Sequence, residues 1–158
     1  MKTTQVKSKG LSPTGVGPRI VLTMLPFITS GIILQIYSPT ITEISLFTPE
    51  TLQNAGWILV VPGIILWIYA VVQFSIAFPK GKLITTGLYS ISRNPIYVSW
   101  ILFVLPGLAG ILNNWFFLLA ALTMYIALLI FIKEEEKQMF VYFGDIYKQY
   151  CKRVGRVL

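Results

Sequence analysis

Four long apolar runs separated by short polar breaks organise the chain, at residues 19–37, 55–78, 95–112 and 115–133. Within each run the hydrophobic positions are continuous, which predicts helices and excludes the in–out alternation of a barrel strand. At about 1.5 Å of rise per residue, each run is close to the thickness of a bilayer's hydrocarbon core. Lipid offers no partner to an unpaired backbone group, so the pattern predicts an all-α integral membrane protein with about four transmembrane helices.

The polar breaks locate the element ends. Residues 1–18 hold Lys2, Lys7 and Lys9 and the turn-forming Ser12-Pro13-Thr14-Gly15, which predicts a polar tail. A signal peptide is the rival reading of the first run, but no small-x-small pattern follows it. Pro26 within that run is expected to kink the helix or be buffered by a neighbour. Residues 38–54 form a connection carrying Glu43 and Glu50, and Pro79-Lys80-Gly81-Lys82 stops the second run. Asn94 is a favoured N-cap and Pro95 a favoured first helical residue, so the third helix starts there. Asn113-Asn114 is so short a connection that the fourth helix must return antiparallel beside the third. Val61-Pro62-Gly63-Ile64 resembles Leu105-Pro106-Gly107-Leu108, too little for a repeat.

The fourth run passes without a breaker into Lys133-Glu134-Glu135-Glu136-Lys137. One helix should therefore continue beyond the membrane to about Tyr142 and end at Phe143-Gly144. Asp145 is the expected N-cap of a short amphipathic helix over 146–153, which brings Lys148, Lys152 and Arg153 to anionic headgroups. Residues 134–158 thus form a helical segment outside the bilayer.

Composition reinforces this picture. The 158 residues suit a single domain, and 55% hydrophobic with only 12% charged residues is far from a soluble globule. The net charge of +7 would suggest nucleic acid in a soluble protein. Here all thirteen Lys and Arg residues lie in the N-terminal tail with Arg19, the second connection or the C-terminal region. That division reads as topology, with both termini and residues 87–95 cytoplasmic, and leaves no nucleic-acid site. The chain has no histidine and one cysteine, Cys151, which excludes an internal disulfide, a Cys/His zinc site and a histidine base. Its chemistry must use carboxylates, arginine, tyrosine, backbone or a cofactor, and no metal is expected.

Two blocks carry candidate chemistry. The first is G-L-Y-S-I-S-R-N-P-I-Y at residues 87–97. In the second, Glu135, Met139 and Phe143 follow at i, i+4 and i+8 on one helix face, emerging on the side of the Arg93 loop. Each has a plainer reading alone: Arg93 as a membrane anchor, Asn94-Pro95 as a helix start, Glu134 to Glu136 as a solvated charge run.

Together the blocks resemble the integral membrane methyltransferases that include isoprenylcysteine carboxyl methyltransferase and the phospholipid N-methyltransferases. Gly87, Tyr89, Arg93, Asn94, Pro95 and Tyr97 fill the first part of that pattern. Glu135, Glu136, Met139, Phe143, Gly144, Tyr147 and Tyr150 fill the second, and Val154 and Arg156 suit the tail. The resemblance implies S-adenosylmethionine at the cytoplasmic face, between the loop, the last span and the C-terminal segment, with a lipidic acceptor entering from the bilayer. It assigns cofactor binding to Gly87, Tyr89, Arg93, Asn94, Pro95, Tyr97, Glu135 and Tyr147, and catalysis to Glu135, Glu136 and Arg93. Glu134, about 100° away from Glu135 around the helix, is expected to be mainly a solvated charge.

A carboxylate acceptor attacks directly, whereas an amine must first lose a proton to Glu135, Glu136 or a tyrosine. Isoprenylcysteine-type carboxyl O-methylation is the first expectation, and N-methylation of a phosphatidylethanolamine-type amine the second. Two positions depart from the pattern: Asn94 where many members have histidine, and Phe131 where isoprenylcysteine enzymes commonly have a basic residue. Of other classes, a small four-helix exporter would need an ionisable residue inside a span to couple protons, and the interiors of all four runs lack one. A non-catalytic scaffold differs from the enzyme in not binding the cofactor.

Overall fold

The computed structural model describes residues 15–157, so the tail expected over 1–18 lies almost wholly outside the described residues. Six helices follow in order: α1 (Gly17–Tyr37), α2 (Pro39–Thr42), α3 (Pro49–Ala77), α4 (Pro95–Ile111), α5 (Phe116–Phe143) and α6 (Asp145–Arg153). No strand is present among the described residues, only one isolated parallel bridge between Ser92 and Gly155. The fold is therefore all-α, and α1, α3 and α5 are long and apolar enough to cross a membrane.

Where a fourth span is expected, the chain forms a shorter apolar helix. Helix α4 is apolar but shorter than the other three, and residues 100–104 wind as a π-helical turn just before Pro106. Pro106 has no N–H to donate to the preceding turn and its ring crowds the carbonyl four residues back, which a widened turn accommodates. Helix α3 starts earlier than the apolar run: Thr48 accepts a hydrogen bond from Thr51 N–H, Pro49 holds the first position and Glu50 the first turn. Polar cap residues extend a helix that hydrophobicity alone places at 55. Pro26 does not break α1.

Packing pairs α1 with α5 and α3 with α4, while α4 also meets α5. The α3–α4 contact is built on glycine. A Cβ on Gly56 would lie 2.5 Å from the Gly107 carbonyl oxygen, and one on Gly107 would lie 2.5 Å from Val60 Cγ2. Small residues let backbones approach where lipid provides no hydrophobic drive between helices. The buried core runs along α1, α4 and α5 through Ile20, Leu105, Ala120 and Leu128. Leu22, Ile33, Ile58, Ile65, Leu122 and Ile130 are exposed, as lipid-facing positions should be.

At one end, fully buried Asn114 ties the helices together. Its Nδ2 donates to Gly31 O and to Gln35 Oε1, both at 2.9 Å, and its Oδ1 accepts from Phe116 N–H at 3.0 Å. At the other end, α5 overshoots. Its 28 residues span about 42 Å, more than a hydrocarbon core of about 30 Å, so residues 134–143 project beyond the apolar part.

Candidate active site

The projecting end of α5 forms one wall of a cleft of about 190 Å³. The other walls come from the end of α3 with the following loop (Phe74, Phe78, Lys82, Leu83), the loop and start of α4 (Tyr89, Arg93, Asn94, Tyr97), and α6 (Tyr147, Tyr150). Gly15, just before α1, also lines it.

The loop before α4 is shaped by Gly87, which adopts a left-handed φ of +63°. A Cβ there would collide with the Gln73 amide, which accepts from Leu88 N–H at 3.3 Å and donates to Thr86 O at 3.4 Å. This clamp fixes the short 3₁₀ turn Gly87–Ser90 against α3 and seats buried Tyr89. The Tyr150 hydroxyl then donates to Tyr89 O at 2.6 Å, joining α6 to the loop. Gly87 and Pro95 do not themselves line the cleft: one makes the turn, the other is the buried first residue of α4.

Asn94 occupies the N-cap position without capping through its side chain. Its Nδ2 instead donates to Arg156 O at 3.0 Å, while its own N–H donates to Ser92 Oγ at 3.1 Å. Ser92 Oγ also donates to Arg156 O at 3.2 Å, and Arg93 N–H donates to Gly155 O at 3.0 Å. The segment after α6 therefore lies across the loop as a backbone strap. Asp145 is likewise not a cap but the first residue of α6; Gly144, at φ +55°, takes the cap position without a side chain to offer.

Three adjacent glutamates have three environments. Glu134 is exposed and pairs with exposed Arg19 at 3.1 Å. Glu136 is buried between two guanidinium groups, with Oε1 2.8 Å from Arg93 Nη1 and Oε2 2.6 Å from Arg156 Nη2. Arg156 Nε adds two further bonds, at 3.0 and 3.1 Å, to the same carboxylate. Hydrogen bonding to Glu136 raises the Arg156 pKa above its ordinary value, so the guanidinium stays charged. Glu135 lines the cleft and has no ion-pair partner among the described residues; it accepts from the Val16 N–H. Burial pushes its carboxyl above the ordinary carboxylate range, partly opposed by that hydrogen bond and reinforced by neighbouring Glu136.

Arg93 donates from Nη1 to Cys151 Sγ at 2.9 Å, while its buried Nε has no partner. Burial raises the Tyr150 hydroxyl to about 12 and those of Tyr89 and Tyr147 further, so all three remain protonated near neutral pH. The cleft thus combines one carboxylate outside any described ion pair, one partly committed guanidinium, protonated tyrosines and an apolar flank of Phe74, Phe78, Leu83, Met139 and Phe143.

Of the residues singled out in the sequence, Tyr89, Arg93, Asn94, Tyr97, Glu135, Glu136 and Tyr147 all line this cleft. Sequence reading did not find Gly15, Val16, Gln73, Lys82 or Cys151. Cys151 carried a usable signal, since it stands one turn after Tyr147; Gly15 and Val16 carried none, because their contact with Glu135 is set by how α1 packs on α5.

Among known proteins, the phospholipid methyltransferase family model matches residues 52–146. No curated protein and no solved structure matches the chain. The matched stretch is more than half of the 158 residues and contains α4, α5, the Arg93 loop and the glutamates. With both motif blocks in one cleft at the end of its membrane helices, the chain belongs to the phospholipid methyltransferase family of membrane methyltransferases.

Proposed function

We propose that the protein transfers a methyl group from S-adenosylmethionine to a lipidic acceptor at the cytoplasmic membrane face, and that the acceptor is the amine of a phospholipid. The observation carrying this reading is Glu135, a carboxylate in the cleft wall not neutralised by any described cation. An ammonium acceptor must lose a proton before it can attack, and Glu135 is the group free to take it. The protonated tyrosines offer hydrogen bonds but no competing base.

The residues present fit the cofactor. The unpartnered Arg93 Nε suits its carboxylate, and Glu135 suits its positive charge. When bound, S-adenosylmethionine supplies a methyl group already activated for displacement, so the protein's task is mainly positioning. Tyr89 and Tyr97 flank Arg93 to hold a ligand, while Phe74, Phe78, Leu83 and Met139 accept acyl chains and exclude water.

A carboxylate acceptor is the second reading, favoured by Lys82, an exposed cation lining the cleft. Phe131 supplies no cation, being packed on the apolar core. Vesicles containing either phosphatidylethanolamine or a prenylated cysteine, given to purified protein with methyl-labelled cofactor, separate the readings. Label on the amine is expected; label on the carboxylate alone transfers the conclusion to the second reading. Cofactor binding without transfer to either excludes both acceptors, and a protein that binds no cofactor is a scaffold.

A further inference from the structure

The carboxylate shared by Arg93 and Arg156 sets the charge offered to a ligand. An Arg93–Glu136 pair alone would be neutral. The second guanidinium, 2.6 Å from Glu136, leaves the three-residue cluster with one positive charge in excess. Arg93 and Glu136 line the cleft, their side chains are only 13% and 10% exposed, and Arg93 Nε is a buried donor without a partner. An excess charge screened this little from water attracts an anion more strongly than the same charge at the surface.

Arg156 is held in this role by backbone. Arg93 N–H binds Gly155 O, and Ser92 Oγ and Asn94 Nδ2 both bind Arg156 O, so the loop that presents Arg93 also fixes Arg156. We propose that Arg156 is a positioning residue for an anionic ligand group: by neutralising Glu136 it leaves the charge of Arg93 available to the carboxylate of the cofactor's methionine part. This rests on the cofactor reading above and extends the site beyond α6.

The rival role for Arg156 is simple fastening of the strap, and ligand preference separates the two. S-adenosylhomocysteine carries the carboxylate; 5′-methylthioadenosine keeps the nucleoside and sulfur but lacks it. Dissociation constants for both are measured by calorimetry on the full chain in detergent. Arg156→Ala should weaken S-adenosylhomocysteine binding about tenfold or more and leave 5′-methylthioadenosine unchanged, with Arg156→Lys recovering most of the loss. If the alanine variant does not fold, Arg156→Gln removes the charge while keeping hydrogen bonding, and the same pair of ligands is compared. Equal losses for both ligands, or none for either, overturn the assignment while leaving the cofactor reading in place. Wild-type protein that binds neither ligand overturns both.

Discussion

At the scale of single residues, Glu134, Glu135 and Glu136 show how far neighbouring positions on a helix can diverge. One is a surface charge beside Arg19, one lines the cleft and one is buried between two arginines. Glu135→Gln should lower methyl transfer about ten- to a hundredfold, the worth of a charge-assisted interaction, whereas Glu134→Gln should change it little. Equal rates for the two variants at saturating cofactor would remove Glu135 from the chemistry. The pH profile checks the same residue. Glu135 must be deprotonated to accept a proton and its carboxyl is raised by burial, so the rate should fall as pH drops through a value above the ordinary carboxylate range. Glu135→Gln should abolish that limb. Motif spacing had brought Arg93 and Glu136 to one place, but not their contact, because ion pairing between two motifs depends on distances that spacing does not encode. Asn94 differs for a similar reason: its N-cap position is legible, but a carbonyl beyond α6 claims its side chain.

At the scale of elements, the two Pro-Gly pairs are not a repeat but two sides of one interface. Gly63 meets Phe103, and Gly107 meets Val60 and Gly56. Gly107→Leu should force α3 and α4 apart at a cost of about 1–3 kcal/mol, read as a lowered unfolding midpoint in detergent; an unchanged midpoint would show that the close approach is not needed. The order of α1, α3, α4 and α5 is legible from the apolar runs, because lipid makes continuous hydrophobicity nearly obligatory, whereas α2 lies in a stretch that reads as a connection. The early start of α3 and the widened turn in α4 were less so, since both follow from local hydrogen bonding at Thr48 and Pro106 that a hydropathy pattern averages away. Asn113-Asn114 is legible as a tight connection; that Asn114 also binds Gly31 and Gln35 on α1 follows only from helix packing.

At the scale of the whole molecule, the charge division predicts which end faces the cytoplasm. Every Lys and Arg stands on the side of the cleft or in the N-terminal tail, so residues 38–54 should face outward. An impermeant thiol reagent applied to intact cells should label Ser45→Cys, at an exposed position, and spare Ser8→Cys; the reverse pattern would invert the topology. The same arrangement opens a polar cleft at the end of apolar helices, where a water-soluble cofactor and a lipid can meet. The most direct test is purified protein incubated with methyl-labelled S-adenosylmethionine and total membrane lipid, followed by mass spectrometry of the lipid fraction. Label is expected in a lipid, and lost with Arg93→Ala; bound cofactor whose label never enters the lipid fraction, whatever lipid is supplied, would show that the protein is not a lipid methyltransferase.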